Sequence, residues 1–158
     1  IAAAAFSISS PAFTEGGNIP SKFTCDAGPT NPSPALAWKD APAGAKSFVL
    51  IMHDPDAPMP GGFTHWVLFD IPASAKELPE GFQVGSIGVS GNMGMRRQGW
   101  MGPCPPTGVH HYHFMLSALD VESLGLQAGA TKADVEKAMQ GHVLGSADLV
   151  GLYQKQPK

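Results

Sequence analysis

Ser47-Phe-Val-Leu-Ile-Met-His53 is an unbroken apolar run of strand length, rich in β-branched and aromatic residues and fit for burial on both faces. It stops at Asp54-Pro-Asp-Ala-Pro58, and a Gly/Pro-rich loop over 54–63 leads into a second run, Thr64-His-Trp-Val-Leu-Phe-Asp-Ile71. Two such strands joined by one loop pair most simply as an antiparallel hairpin. The end of the first then lies beside the start of the second, so that Asp54 and His65 face each other across the mouth of the loop. A carboxylate and an imidazole meet there without any long-range assumption.

The next stretch outward is Gly102-Pro-Cys-Pro-Pro-Thr-Gly-Val-His-His-Tyr-His-Phe114. Its first half cannot be regular structure, because prolines lack a backbone donor and glycines bracket them. From His110 to Leu119 the chain reads as a strand. Alternation places His110 and Tyr112 on one face, His111 and His113 on the other.

Farther out, residues 6–24 hold a short strand or two near a sheet edge, 25–34 form a loop, and Leu36 to Trp38 is a brief strand before the turn at 41–44. Residues 72–101 are loop-rich, with a strand expected around 83–89. Thr131-Lys-Ala-Asp134 has the form of a capping box, and Val135, Ala138, Met139, His142 and Val143 follow at helical spacing, which predicts one helix over about 131–143. Ala147 to Tyr153 is the last strand.

The 158 residues suit a single domain spanning 1–158, and 19 glycines with 15 prolines favour short strands joined by turns over a helical bundle. Net charge is −3, and no basic cluster exceeds the pair Arg96-Arg97, which argues against nucleic acid. No apolar run approaches the ~18 residues of a membrane span. The start Ile1-Ala-Ala-Ala-Ala5 suits the region after a signal-peptidase cut, hence a periplasmic or secreted protein; trimming of a cytoplasmic one explains it equally well. Cys25 and Cys104 are too few for a metal knuckle. A disulfide between them, if they meet, would contribute roughly 4–5 kcal/mol in the chain-entropy view.

Asp54, His65, and His110 with Tyr112 beside the Gly102 loop are therefore three places that can converge. Taken singly each is weak, since a histidine at a strand end is more often a hydrogen-bonded packing residue. His111 and His113 read as surface or core groups. His142, on the apolar helix face, and His53, inside the strand, read as core histidines.

The pieces together carry more. Asp54-Pro-Asp-Ala-Pro58, the strand opening at His65, and Gly102-Pro-x-Pro-Pro-x-Gly-x-His110-x-Tyr112 resemble, in order and spacing, the phosphatidylethanolamine-binding protein family. The segment from Cys25 to Trp38 and the tail from Met139-Gln-Gly-His142 to Tyr153 look like its bacterial Raf-kinase-inhibitor-like branch. The likeness runs from about Phe6 to Tyr153; residues 90–100 follow it only loosely, with Trp100 where tyrosine is usual.

This resemblance implies a mainly β fold of two packed, largely antiparallel sheets with a few peripheral helices. It also implies a small anion pocket lined by Asp54, His65, Gly102, His110 and Tyr112, with Pro58 shaping the wall. Imidazole N–H, phenol O–H and a backbone N–H near Gly102 would be the donors to a phosphate-type ligand. Asp54 is expected either to accept a hydrogen bond from His65 and favour its charged form, so that binding tightens as pH falls toward ~6.5, or to receive a proton from a phosphate monoester P–OH or an ammonium head group. Kinase or protease inhibition and a homodimer are further implications; no cofactor or metal is.

The competing reading is a hydrolytic enzyme using Asp54, His65 and His110, with or without a metal. Against it, there is no Gly-x-Ser-x-Gly elbow, Cys104 sits among prolines, and the pair His111/His113 lacks a third ligand.

Overall fold

The structure, a computed structural model, describes residues 5–28, 31–93 and 98–154. Arg96-Arg97 lies outside the described residues. The strands are β1 (Ser7–Ser9), β2 (Leu36–Lys39), β3 (Ser47–Asp54), β4 (Phe63–Pro72), β5 (Glu77–Leu78), β6 (Val89–Ser90), β7 (His110–Leu119) and β8 (Val143–Tyr153). A single α-helix among the described residues, α1 (Lys132–Met139), precedes β8, and two single-turn 3-10 helices occupy Ser21–Phe23 and Cys25–Ala27. One sheet has the order β1-β2-β5 and the other β6-β4-β3-β7-β8. Every pairing between these strands is antiparallel.

The apolar run of β3 explains why it lies at the centre of the larger sheet. Phe48, Leu50 and Met52 enter the core between the sheets, with Leu36 and Trp38 of β2 and Phe114 and Leu116 of β7. Val49 and Ile51 point the other way, into a second cluster closed by Val135 and Met139 of α1. Burying two such side chains of α1 contributes about 1.5–3 kcal/mol each, which anchors a helix of only eight residues. Its capping box is present as read: the Thr131 hydroxyl accepts from Asp134 N–H, and the Asp134 carboxylate accepts from Thr131 N–H.

The helix is shorter than its spacing suggested. It ends at Met139, Gly141 takes a positive φ of 83°, and Val143 is exposed at the start of β8 rather than buried on a helix face. His142 is likewise no core residue: its Nδ1 pairs with Asp120 Oδ1 at 2.8 Å at the surface. His53 is half-buried on the outer face of the sheet, where Nε2–H donates to the Gly61 carbonyl and Nδ1 accepts from the Thr64 hydroxyl. The strand expected at 83–89 is replaced by the two-residue β5 and β6 on either side of a turn region. Residues 6–24 supply one edge strand, β1.

Candidate functional site

The β3–β4 hairpin pairs directly, but not in a simple register. Met52 lies opposite Trp66 and His53 opposite Thr64, so His65 is the extra residue of a β-bulge. In a regular strand His65 and Trp66 would point to opposite faces. The bulge re-aims His65 toward the inner side, where its ring meets Tyr112 edge-on at 5.3 Å between centroids. Asp54 continues the inward column of Phe48, Leu50 and Met52, and His110 and Tyr112 continue that of Phe114 and Leu116. Three adjacent strand ends thus deliver four polar side chains to one place.

All four are withdrawn from solvent: relative exposure is 2% for Asp54, 5% for His65, 6% for His110 and 0% for Tyr112. They line a cavity of about 220 Å³. Its walls are apolar: Pro58 and Met59 from the loop after β3, Phe63 from β4, and Met101, Pro105 and Pro106 from the loop before β7. Pro58 is where the sequence placed it. Gly102 is not a lining residue. A Cβ there would lie 2.4 Å from the Phe23 carbonyl oxygen and 2.2 Å from Asn31 Oδ1, so its glycine serves the packing of the wall from behind.

Both loops are tied down, by backbone contacts that residue type does not reveal and by the disulfide that two cysteines allowed. In the first, Asp54 Oδ1 accepts from Asp56 N–H at 2.8 Å, an Asx turn that starts the reversal. Gly62 closes it at φ 80°, with its Cα so near the Asp54 carbonyl that a Cβ would stand 2.3 Å from that oxygen. The second loop is clamped to β4, because Met101 N–H donates to the His65 carbonyl at 3.1 Å. Farther along it, a disulfide joins Cys104 to Cys25, their Cα atoms 5.4 Å apart. Cys25 N–H also donates to the Pro103 carbonyl at 3.1 Å. Trp100 packs behind the loop, its indole N–H donating to Asn31 Oδ1 at 2.9 Å.

The hydrogen bonds assign the protons, and they differ from the expected scheme. Asp54 does not hold His65; its Oδ2 takes His110 Nδ1–H, at 2.6 Å. The bulge explains this: Asp54 stands opposite Phe63, and the diagonal neighbour on β7 is nearer. His65 Nδ1–H donates instead to the Met101 carbonyl at 2.8 Å. In each ring Nδ1 is thereby committed and Nε2 has no partner among the described residues. The Tyr112 hydroxyl, closed off from solvent, also has no partner among them.

Burial pushes His65 down to about 4, against the opposing pull of the Met101 carbonyl and the Asp54 charge, with His53 and His110 adding slightly to the depression. Near neutral pH this ring is uncharged, so His65 is not the cationic donor expected of it. Burial, with Asp54 and Asp56 behind it, pushes Tyr112 up, so the phenol remains a neutral donor. Asp56, outside the cavity, lies below the usual carboxylate range because His111 donates to it from both ring and backbone.

Among the described residues no group of three or more His, Cys, Asp or Glu side chains has the arrangement of a metal site. His111 and His113 pair with Asp56 and Asp148 respectively, on the outer face. Cys104, being in the disulfide, offers no thiolate nucleophile.

Known proteins place these features in context. The sequence pattern described as "Phosphatidylethanolamine-binding protein" matches residues 9–154. A UPF0098 protein of Aquifex aeolicus is 48% identical over 152 residues, covering 92% of this chain and 86% of its own. One from Methanothermobacter thermautotrophicus is 47% identical over 148 residues, covering 91% and 95%. Among solved structures, the Chlamydia trachomatis protein CT736, described as a phosphatidylethanolamine-binding protein homologue, superposes with a TM-score of 0.88 at 38% identity, covering 96% of this chain and 99% of that one. Escherichia coli YbcL, described as a member of the mammalian family, gives 0.87 at 29% identity, covering 97% and 100%.

Proposed function

This chain belongs to the phosphatidylethanolamine-binding protein family, and from that premise we propose that its cavity is a receptor for a small oxyanion of the phosphate type, held without chemical conversion. The observation that carries the reading is a pair of uncommitted imidazole nitrogens on one small, largely apolar cavity. His65 Nε2 and His110 Nε2 have no protein partner among the described residues, on side chains that line one cavity. His110, when it carries a second proton on Nε2, adds a charge-assisted donor whose countercharge, Asp54, is already in place.

Isothermal titration with inorganic phosphate and with phosphoethanolamine tests this. One site per chain is expected, weakened at least tenfold by His110→Ala. No heat of binding up to millimolar ligand would remove the reading.

Inhibition of a kinase or protease partner would, on this reading, run through occupancy of the same cavity, by capture of a phosphorylated or acidic side chain. The Cys25–Cys104 bond supports an oxidising compartment, periplasmic or secreted, over the cytoplasm. A homodimer, which the resemblance to the bacterial branch implies, is to be checked by light scattering. One observation favours a second reading: Asp54 holding His110 at 2.6 Å is the arrangement that orients a general base. Turnover of a phosphate or carboxylate ester, abolished by His110→Ala, would decide for an enzyme.

A further inference from the structure

We propose that His111 and His113, on the outer face of β7, form a binding site for one divalent late-transition cation, copper in preference to nickel and zinc. The site lies on the face of the sheet away from the cavity and does not depend on the oxyanion reading.

The two side chains share a face because they stand two apart in a strand, with Cα atoms about 6.7 Å from each other. That spacing lets both imidazoles reach a common ion at the usual metal–nitrogen distance of about 2.0–2.1 Å. Each ring is already set for ligation. His111 Nδ1–H donates to Asp56 Oδ2 at 2.7 Å, and His113 Nδ1–H to Asp148 Oδ2 at 3.0 Å. An ionised carboxylate only accepts, so each ring keeps its hydrogen on Nδ1. Nε2 is left as a lone pair, with no protein partner among the described residues. A carboxylate behind a metal-binding histidine fixes the tautomer in this way and makes the ligating nitrogen more basic.

The carboxylates also set which way the rings turn. β3 and β8 flank β7 on opposite sides. Asp56 follows β3, whereas Asp148 lies on β8 opposite Met115, diagonal to His113. The Nδ1 edges of the two rings therefore face apart, and the edges bearing Nε2 turn toward the space between them. Asp56 is itself fixed by backbone: its Oδ2 also takes His111 N–H at 2.8 Å, and its own N–H donates to Asp54 Oδ1 at 2.8 Å. The side chains of His111 and His113 are 54% and 32% exposed, so an ion needs no path through the fold.

The other outer histidines lack this arrangement. His142 has a carboxylate partner, Asp120 at 2.8 Å, but no second histidine two residues away. His53, opposite His113 on β3, has both nitrogens committed, to the Gly61 carbonyl and the Thr64 hydroxyl. No third His, Cys, Asp or Glu completes the set among the described residues, so water fills the remaining positions around the ion. Two imidazoles and water make a tetragonal nitrogen–oxygen environment, which suits copper and nickel, and the general order of divalent affinities puts copper first.

The test titrates the full chain, freed of metal by dialysis against a chelator, with copper, nickel and zinc chlorides in a non-coordinating buffer. Copper is expected to bind tightest, with an affinity that falls at least tenfold in His111→Ala and in His113→Ala and is unchanged in His142→Ala. His111→Ala keeps the backbone N–H that holds Asp56, so the loop stays anchored. Asp148→Asn, which leaves both ligands in place, is expected to weaken copper about tenfold. In ¹⁵N spectra, zinc is expected to move the Nε2 signals of His111 and His113 and to leave those of His65, His110 and His142. Copper affinity indifferent to both alanine substitutions, or zinc shifts confined to the other histidines, overturns the site. Absence of binding at millimolar metal does so as well.

Discussion

Folding this chain should be opposed by protons at His65. A histidine whose pKa falls from 6.5 in the unfolded chain to about 4 in the native protein binds its proton preferentially when unfolded. Its contribution is neutral above pH 6.5 and grows unfavourable as pH drops, at about 1.4 kcal/mol per unit, until it levels off near pH 4. The loss across that window is about 3 kcal/mol, from a ring too well buried for solvent to screen it. Many carboxylates also titrate there, so the unsubstituted protein alone cannot isolate the effect. His65→Gln can: its amide N–H still reaches for the Met101 carbonyl, and it does not titrate. Urea unfolding of both proteins at pH 7, 6, 5 and 4, in buffers without phosphate, sulfate or carboxylate, gives a difference curve. The stability of the unsubstituted protein relative to the variant should fall by about 3 kcal/mol from pH 7 to pH 4. A difference flat to within 1 kcal/mol, or one that rises on acidification, would refute the assignment of a neutral, buried His65.

Further substitutions probe the supports of the cavity. Asp54→Ala strips the acceptor from His110 Nδ1–H and Asp56 N–H and should destabilise by about 3–5 kcal/mol, while Asp54→Asn, which keeps one acceptor, should lose less than half of that in the same urea experiment. Gly62→Ala puts a methyl 2.3 Å from the Asp54 carbonyl oxygen at a φ of 80°, and a loss of at least 2 kcal/mol with weakened phosphate binding is expected by calorimetry. Reducing the bond between Cys25 and Cys104, which encloses a separation of 79 residues, should remove roughly 4–5 kcal/mol. At about 2–4 °C per kcal/mol for a chain this long, the melting temperature should drop by roughly 8–20 °C on adding reductant.

What could be read from the chain beforehand followed periodicity. The unbroken run in β3 meant burial on two faces, and it does feed both clusters. Alternation from His110 put that ring and Tyr112 together on the inner side. The capping box located the start of α1. Its end was missed because His142 and Val143 continue the helical spacing by coincidence, while Gly141 already breaks the backbone. The partner of Asp54 was misjudged for a related reason. A bulge has no signature in residue type at His65, so a strand counted in twos assigns the wrong neighbour across the hairpin. The Met101 carbonyl, which decides the proton position on His65, is a backbone atom and identical in every residue. Gly102 was read as a ligand contact, since close approach of ligand and close approach of protein ask for the same missing side chain.

The claim on which these expectations depend is that His65 and His110 present their free nitrogens to one bound oxyanion. It is tested most directly by following the imidazole ¹⁵N and ¹H signals of all six histidines during titration with inorganic phosphate. Saturation is expected at one phosphate per chain, with His65 and His110 shifting together and His53, His111, His113 and His142 nearly unmoved. Saturation that moves the outer-face histidines and leaves His65 and His110 in place would contradict it.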